Sequence, residues 1–141
     1  MSRTGTDAYR GLVDLPPLVG AAARVALEVG FPLSCLPSHG RLLQLLAGGV
    51  ASGTIGETGT GCGVGLAWLA SGRRDGVQVV SIERDAQLVG LAREVFADVP
   101  DVTVLHGHWR QLGDAGPFDL LALDGGGQGK ADETAPASFP A

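Results

Sequence analysis

Residues 55–65 read I-G-E-T-G-T-G-C-G-V-G, and this stretch decides the fold. A short β-prone lead-in reaches an acid, Glu57. Glycine then falls at every second position: Gly59, Gly61, Gly63 and Gly65. The run L-A-W-L-A from Leu66 follows and reads as the first turns of a buried helix. Strand, glycine turn, helix lets main chain approach a ligand closely and aims helix N–H groups at it. Four alternating glycines exceed what a tight turn alone requires.

The spacing argues against two ligand classes. The dinucleotide fingerprint is G-x-G-x-x-G. Counted from Gly59, its last glycine would fall on Val64; counted from Gly61, on Leu66. A phosphate-cradling loop needs Gly-Lys-Ser/Thr, and no lysine stands here. Glu57 would also repel a phosphate. A carboxylate beside a glycine turn suits a cationic or hydroxyl-bearing ligand better. Cys62 lies near a helix N-terminus, which can lower a thiol pKa, but a small loop filler is the simpler role.

Downstream, strands and helices alternate. Residues 54–57 form the first strand, weakened by Gly56, and residues 63–71 its helix, closed by Gly72. Residues 77–82 are nearly continuously apolar, as in a strand buried on both faces. Asp85 caps a helix running to Ala97, with Leu88, Ala92, Val95 and Phe96 on one face. Pro100 marks a turn. Residues 102–105 are a third strand, 108–112 a short helical or irregular piece, and 118–123 a fourth strand ending at Asp124. Residues 125–130 are a second glycine-rich loop.

Upstream, residues 1–14 are polar and read as loose. A helix enters at Asp14-Leu-Pro-Pro, repeats Leu18, Ala22, Val25, Ala26 and Val29 at helical spacing, and ends at Gly30. After a linker at residues 31–37, Ser38 is a candidate N-cap for a helix over 39–47 that Gly48-Gly49 stops. The expected division is an N-terminal helical segment at 1–37, a ligand-binding domain at 38–130 and a tail at 131–141.

Alternating strands and helices imply an α/β fold, a Rossmann-like doubly wound parallel sheet. Ligands bind such sheets beyond the carboxyl ends of the strands. Those ends are Glu57-Thr-Gly, Glu83-Arg-Asp, His106-Gly-His-Trp and Asp124-Gly-Gly-Gly. Glu83 follows Gly59 by 24 residues, where a carboxylate can accept both hydroxyls of a ribose. Glu57 is a partner for an amino group, or else a structural acid holding loop N–H groups. Trp109 or His108 could stack on a base, or Trp109 could be core. Asp124 could bind ligand, metal or backbone.

The bulk numbers agree. The 141 residues suit one domain, and 45% apolar composition supplies a core. A net charge of −5 offers no basic face for nucleic acid or an anionic membrane. The two cysteines, Cys35 and Cys62, make neither a disulfide framework nor a metal cluster, so the expected setting is a reducing cytoplasm. No apolar run is long enough to cross a bilayer, and residues 1–7 lack a signal core. His39, His106 and His108 have no metal-ligand spacing, and no Ser-His-Asp or Cys-His set stands out.

Three motifs in order carry a resemblance: E-T-G-T-G-C-G from Glu57, S-I-E-R-D from Ser81 and F-D-L-L-A-L-D from Phe118. Together they resemble class I S-adenosylmethionine-dependent methyltransferases. S-H-G-R-L-L-Q-L-L-A from Ser38 resembles the helix before the first strand in small-molecule O-methyltransferases of the catechol and caffeoyl-CoA type. The resemblance covers roughly residues 36–130.

It implies S-adenosylmethionine as cofactor and a small-molecule methyl acceptor, with transfer to oxygen. Glu57, Gly59, Gly61 and Gly63 would hold the methionine part, with Thr60 in the same turn. Glu83 would bind the ribose, with Arg84 beside it, and Gly107, His108 and Trp109 would flank the adenine. Asp124 would sit near the methionine end, a position that also binds a divalent metal in cation-dependent members. Here the family's second acid is replaced in Asp124-Gly-Gly-Gly, so no metal site is expected, and no catalytic base is identified. Gly65 stands where such enzymes often carry serine. The family continues with a fifth strand, a helix and a terminal hairpin, so the chain reads as truncated. Four strands would leave one sheet edge bare, which a second copy could cover. The alternative function is a non-catalytic cofactor-binding or dimerising module. A nicotinamide-dependent oxidoreductase is disfavoured by the glycine spacing.

Overall fold

The computed structural model describes residues 5–124. The glycine-rich loop after Asp124 and the tail expected at 131–141 lie outside them.

Two helices precede the sheet. Helix α1 (Pro17–Val29) starts on Pro17, whose missing N–H costs nothing in a first turn, and ends at Gly30 in the left-handed region (φ 73°). Helix α2 (Pro37–Gly48) begins two residues earlier than expected. Ser38 is not its cap: Leu36 holds that position without a side-chain bond, and Pro37 opens the helix. A proline, with φ already helical and no N–H to satisfy, is pre-organised for the first helical position.

The sheet has strands β1 (Thr54–Thr58), β2 (Gln78–Glu83), β3 (Val102–His106) and β4 (Leu120–Leu123), all parallel, in the order β3-β2-β1-β4. Helix α3 (Val64–Gly72) joins β1 to β2, and α4 (Ala86–Val95) joins β2 to β3. Asp85 caps α4 as expected, its Oδ1 accepting the N–H groups of Gln87 and Leu88 at 2.9 and 3.2 Å. A 3-10 turn, Trp109–Ala115, leads towards β4.

The main core lies on one face. Ile55, Val79 and Val104 from the sheet pack with Val19, Ala22 and Ala26 of α1, Leu43 and Ala47 of α2, Leu66 and Trp68 of α3, and Val89 and Ala92 of α4. The opposite face carries a smaller cluster, Ile82, Leu112 and Phe118, under the 3-10 turn. The sheet is thus wound on both faces, unequally. Phe118 explains why β4 starts at Leu120 instead of 118. Its ring lies against Gly56 of β1, so close that a Cβ there would stand 2.8 Å from it. Gly56 therefore makes room for the second core.

The N-terminus differs from expectation. Thr6–Tyr9 forms a 3-10 turn, and Tyr9 is buried. The Trp68 Nε1–H donates to the Tyr9 hydroxyl at 2.9 Å. Thr6 donates to Ser34 at 2.7 Å. The Thr6 N–H also donates to the Pro32 carbonyl at 3.3 Å and the Ser34 N–H to Thr6 Oγ1 at 3.2 Å, so long-range bonds order this polar segment.

Candidate functional site

The parallel order puts a switch point beside β1. The chain moves outward one way through β2 and β3, then returns to the other side of β1 as β4. A crevice at the carboxyl ends of β1 and β4 follows from that reversal.

The turn after β1 fills this position. Gly59, Gly61 and Gly63 all take positive φ, at 81°, 56° and 96°. Such values are strained for any residue with a Cβ. The Gly59 N–H donates to the Ile82 carbonyl at 2.9 Å, tying the turn to β2. The Phe31 ring, from the linker after α1, backs the turn: a Cβ on Gly61 would stand 2.9 Å from it.

Glu57 and Ser81 are opposite each other in the β1–β2 register. Both project onto the helix face and both are buried. The Ser81 hydroxyl donates to Glu57 Oε1 at 2.6 Å, and the Thr60 and Ser81 hydroxyls are 2.6 Å apart. Burial is the main cause that pushes the Glu57 carboxyl up to about 8. The Ser81 bond opposes that shift, and the charges of Asp124 and Glu83 add to it. Gly65, on the first turn of α3, gives this carboxyl its space: a Cβ there would stand 2.6 Å from Glu57 Oε2.

Glu83 ends β2 half-buried. Its Oε1 accepts the Gly61 N–H and its Oε2 the Asp85 N–H, both at 3.0 Å. Of the two acids, then, it is Glu83 and not Glu57 that holds a loop N–H. Burial pushes the Cys62 thiol up to about 11, with Glu83 as a second cause, which fits a buried filler and not a reactive thiol.

Beyond β3, the Gly107 N–H donates to the Glu83 carbonyl at 2.9 Å, so the third strand end meets the second. His108 caps the 3-10 turn: its Nδ1 accepts the Arg110 N–H at 3.2 Å, and its own N–H donates to Gln111 Oε1 at 2.7 Å. Trp109 is buried, its ring centroid 5.4 Å from that of His108. Arg84 is exposed, and its carbonyl lies 3.0 Å from His106 Nε2. Asp124 is exposed, its N–H donating to the Thr58 carbonyl at 3.2 Å.

All four strand ends therefore meet on one rim, and three carry an acid. Ser81 joins the site without a role expected from the motifs, although a hydroxyl inside the apolar run V-V-S-I is its signal in the sequence. Among the described residues, no group of three or more His, Cys, Asp or Glu side chains is placed to hold a metal ion. No described helix is long and apolar enough to cross a membrane.

No family model matches the chain. A curated relative from Mycobacterium avium (strain 104), named "Putative O-methyltransferase", is 35% identical over 115 residues, covering 76% of this chain and 51% of its own length. "Probable O-methyltransferase Rv1220c" of Mycobacterium tuberculosis (strain ATCC 25618 / H37Rv) is 38% identical over 81 residues, 57% of this chain and 35% of its own. The crystal structure of an O-methyltransferase from Bacillus cereus in complex with SAH superposes with a TM-score of 0.72 at 25% identity, covering 89% of this chain and 61% of that one. The chain thus spans about half the length of the first curated relative, and less of the second. The resemblance read from the motifs holds in both comparisons: over the stretch they share, the chain is similar to O-methyltransferases in sequence and in fold.

Proposed function

We propose that the chain binds S-adenosylmethionine at this rim and takes part in methyl transfer to a small molecule, at oxygen. The observation that carries the reading is the acid-lined glycine turn. Three positive-φ glycines stand between Glu57 and Glu83, and Glu83 and Asp124 both raise the Glu57 carboxyl. Such a rim repels phosphate and attracts a cation. It fits a sulfonium nucleoside and not a dinucleotide.

The residues divide by chemistry. Gly59, Thr60, Gly61 and Gly63 present main chain without bulk to the methionine part. Glu57 and Asp124 face its positive groups. Glu83 takes the ribose hydroxyls with the lone pairs that Gly61 and Asp85 leave unused. Gly107, His108 and Trp109 flank the base, with Arg84 at the outer edge. The bound cofactor supplies an electrophilic methyl group on a cationic sulfur. The protein's task is then to position acceptor and methyl in line, which can provide several kcal/mol of the barrier without a protein nucleophile. The acceptor pocket and any catalytic base are assigned to no described residue. A homodimer that covers the β4 edge belongs to this reading, since among the described residues β4 pairs only with β1.

Titration calorimetry with S-adenosylmethionine and S-adenosylhomocysteine tests the site. A labelled-methyl assay with a panel of small hydroxylated acceptors then separates an enzyme from a cofactor-binding module. Absence of binding to either nucleoside would end the proposal.

A further inference from the structure

A buried hydroxyl chain lies behind the glycine turn. Glu57, Ser81 and Thr60 are linked by two 2.6 Å contacts, and all three side chains are buried. The Thr60–Ser81 bond can run in either direction. The groups around Glu57 come from every element packed there. They are Gly65 of α3 with Leu43 of α2 beside it, Ser81 and Glu83 of β2, Thr60 of the turn, Asp124 after β4, and the Cys35 thiol before α2, which senses the Glu57 charge. None of these is a cation. The Cys35 thiol is itself held neutral by burial, pushed up to about 12.

We propose that the Glu57–Ser81–Thr60 chain holds one proton in the ligand-free protein and expels it when a cationic cofactor binds. This rests on the cofactor reading above. In the protonated state Ser81 donates to Glu57 Oε1, Thr60 donates to Ser81, and the proton sits on Glu57 Oε2, beside Gly65. A positive ligand at the rim supplies the counter-charge that these described groups lack. The proton on Glu57 Oε2 then leaves to the buffer, the Ser81 bond to Oε1 now stabilises a carboxylate, and one proton leaves per ligand. The carboxyl's raised pKa in the ligand-free state agrees with this direction. Affinity for the cofactor would then rise with pH, by up to about tenfold per unit while the free site stays protonated.

The test is calorimetry of S-adenosylmethionine binding near neutral pH in two buffers of different protonation enthalpy, repeated across pH. Wild type is expected to release close to one proton more than Glu57→Gln, which keeps the neutral shape and an acceptor for Ser81. The ligand's own amine titrates in both proteins and cancels in the comparison. Ser81→Ala removes the bond that favours the ionised form, so the pH dependence should survive but move to higher pH. Binding with equal proton release in wild type and Glu57→Gln would overturn this inference and leave the cofactor reading standing. Absence of binding at every pH would overturn both.

Discussion

Glu83 Oε1 accepts the Gly61 N–H at 3.0 Å, so the acid that ends β2 also pins the middle of the turn that follows β1. Its other oxygen holds Asp85, the cap of α4. One carboxylate thus ties a strand, a helix start and the glycine turn together before any ligand arrives. Glu83→Ala should therefore weaken two things. Unfolding stability should fall by about 1–2 kcal/mol, because a half-enclosed N–H loses its acceptor. Affinity for S-adenosylmethionine should fall by about 1–3 kcal/mol. Denaturant titration and calorimetry on the same preparation give both numbers. Binding unchanged in a folded variant would remove Glu83 from the ribose role.

Gly65 and Glu57 compete for one space. Alanine at position 65 would gain about 1 kcal/mol of helix propensity. Its Cβ would also stand 2.6 Å from Glu57 Oε2, on a carboxyl fixed by Ser81. Overpacking of this kind costs about 1–3 kcal/mol, so Gly65→Ala should destabilise the protein on balance. In a Glu57→Ala background the same change should be neutral or stabilising. A double-mutant cycle by urea unfolding measures the difference, and a coupling energy indistinguishable from zero would refute the contact.

The Tyr9 hydroxyl accepts the Trp68 Nε1–H at 2.9 Å across 59 positions of sequence. Burial pushes the Tyr9 hydroxyl well above the ordinary phenol range, so it stays protonated and can accept without becoming charged. Tyr9→Phe keeps the ring and strands a buried indole N–H. It should lower stability by about 1–3 kcal/mol and raise amide exchange over residues 6–9 first. Exchange there that matches wild type would show that the turn is held by something else.

How much of this was legible beforehand follows from the range of each cause. The order of strands and helices rests on local periodicity, which the sequence displays, and the element types agree with the structure from α1 to β4. One boundary moved where a tertiary contact intervened: Phe118 left β4 to fill the second core. Another moved for a local reason, because α2 opens on Pro37 instead of a Ser38 cap. The glycine turn and both acids were legible because positive φ and a strand-end carboxylate are local demands. Their partners were not. Nothing near Glu57 in the chain names Ser81, and nothing near Gly61 names Phe31. Only the β1–β2 register and the path of the linker bring them together. Residues 6–9 look loose in the sequence for the same reason, because Trp68, which holds Tyr9, is far away in the chain.

Burial of Glu57 also gives stability a pH dependence of definite sign. Its carboxyl is raised from 4.5 to about 8 in the folded chain, chiefly by burial, with Asp124 and Glu83 adding to the shift. Between those two values the native protein keeps a proton that the unfolded chain has released. Stability must then fall as pH rises through this window, by up to about 1.4 kcal/mol per unit. The contribution is complete below the unfolded value and is gone above the folded one. Glu57→Gln carries no such proton, so its unfolding free energy should change less between about pH 5 and about pH 8 than that of wild type. Urea titrations at a series of pH values on both proteins measure the two slopes. A wild-type curve parallel to that of Glu57→Gln, or one that gains stability relative to it towards alkaline pH, would mean that the carboxyl is already ionised inside the fold.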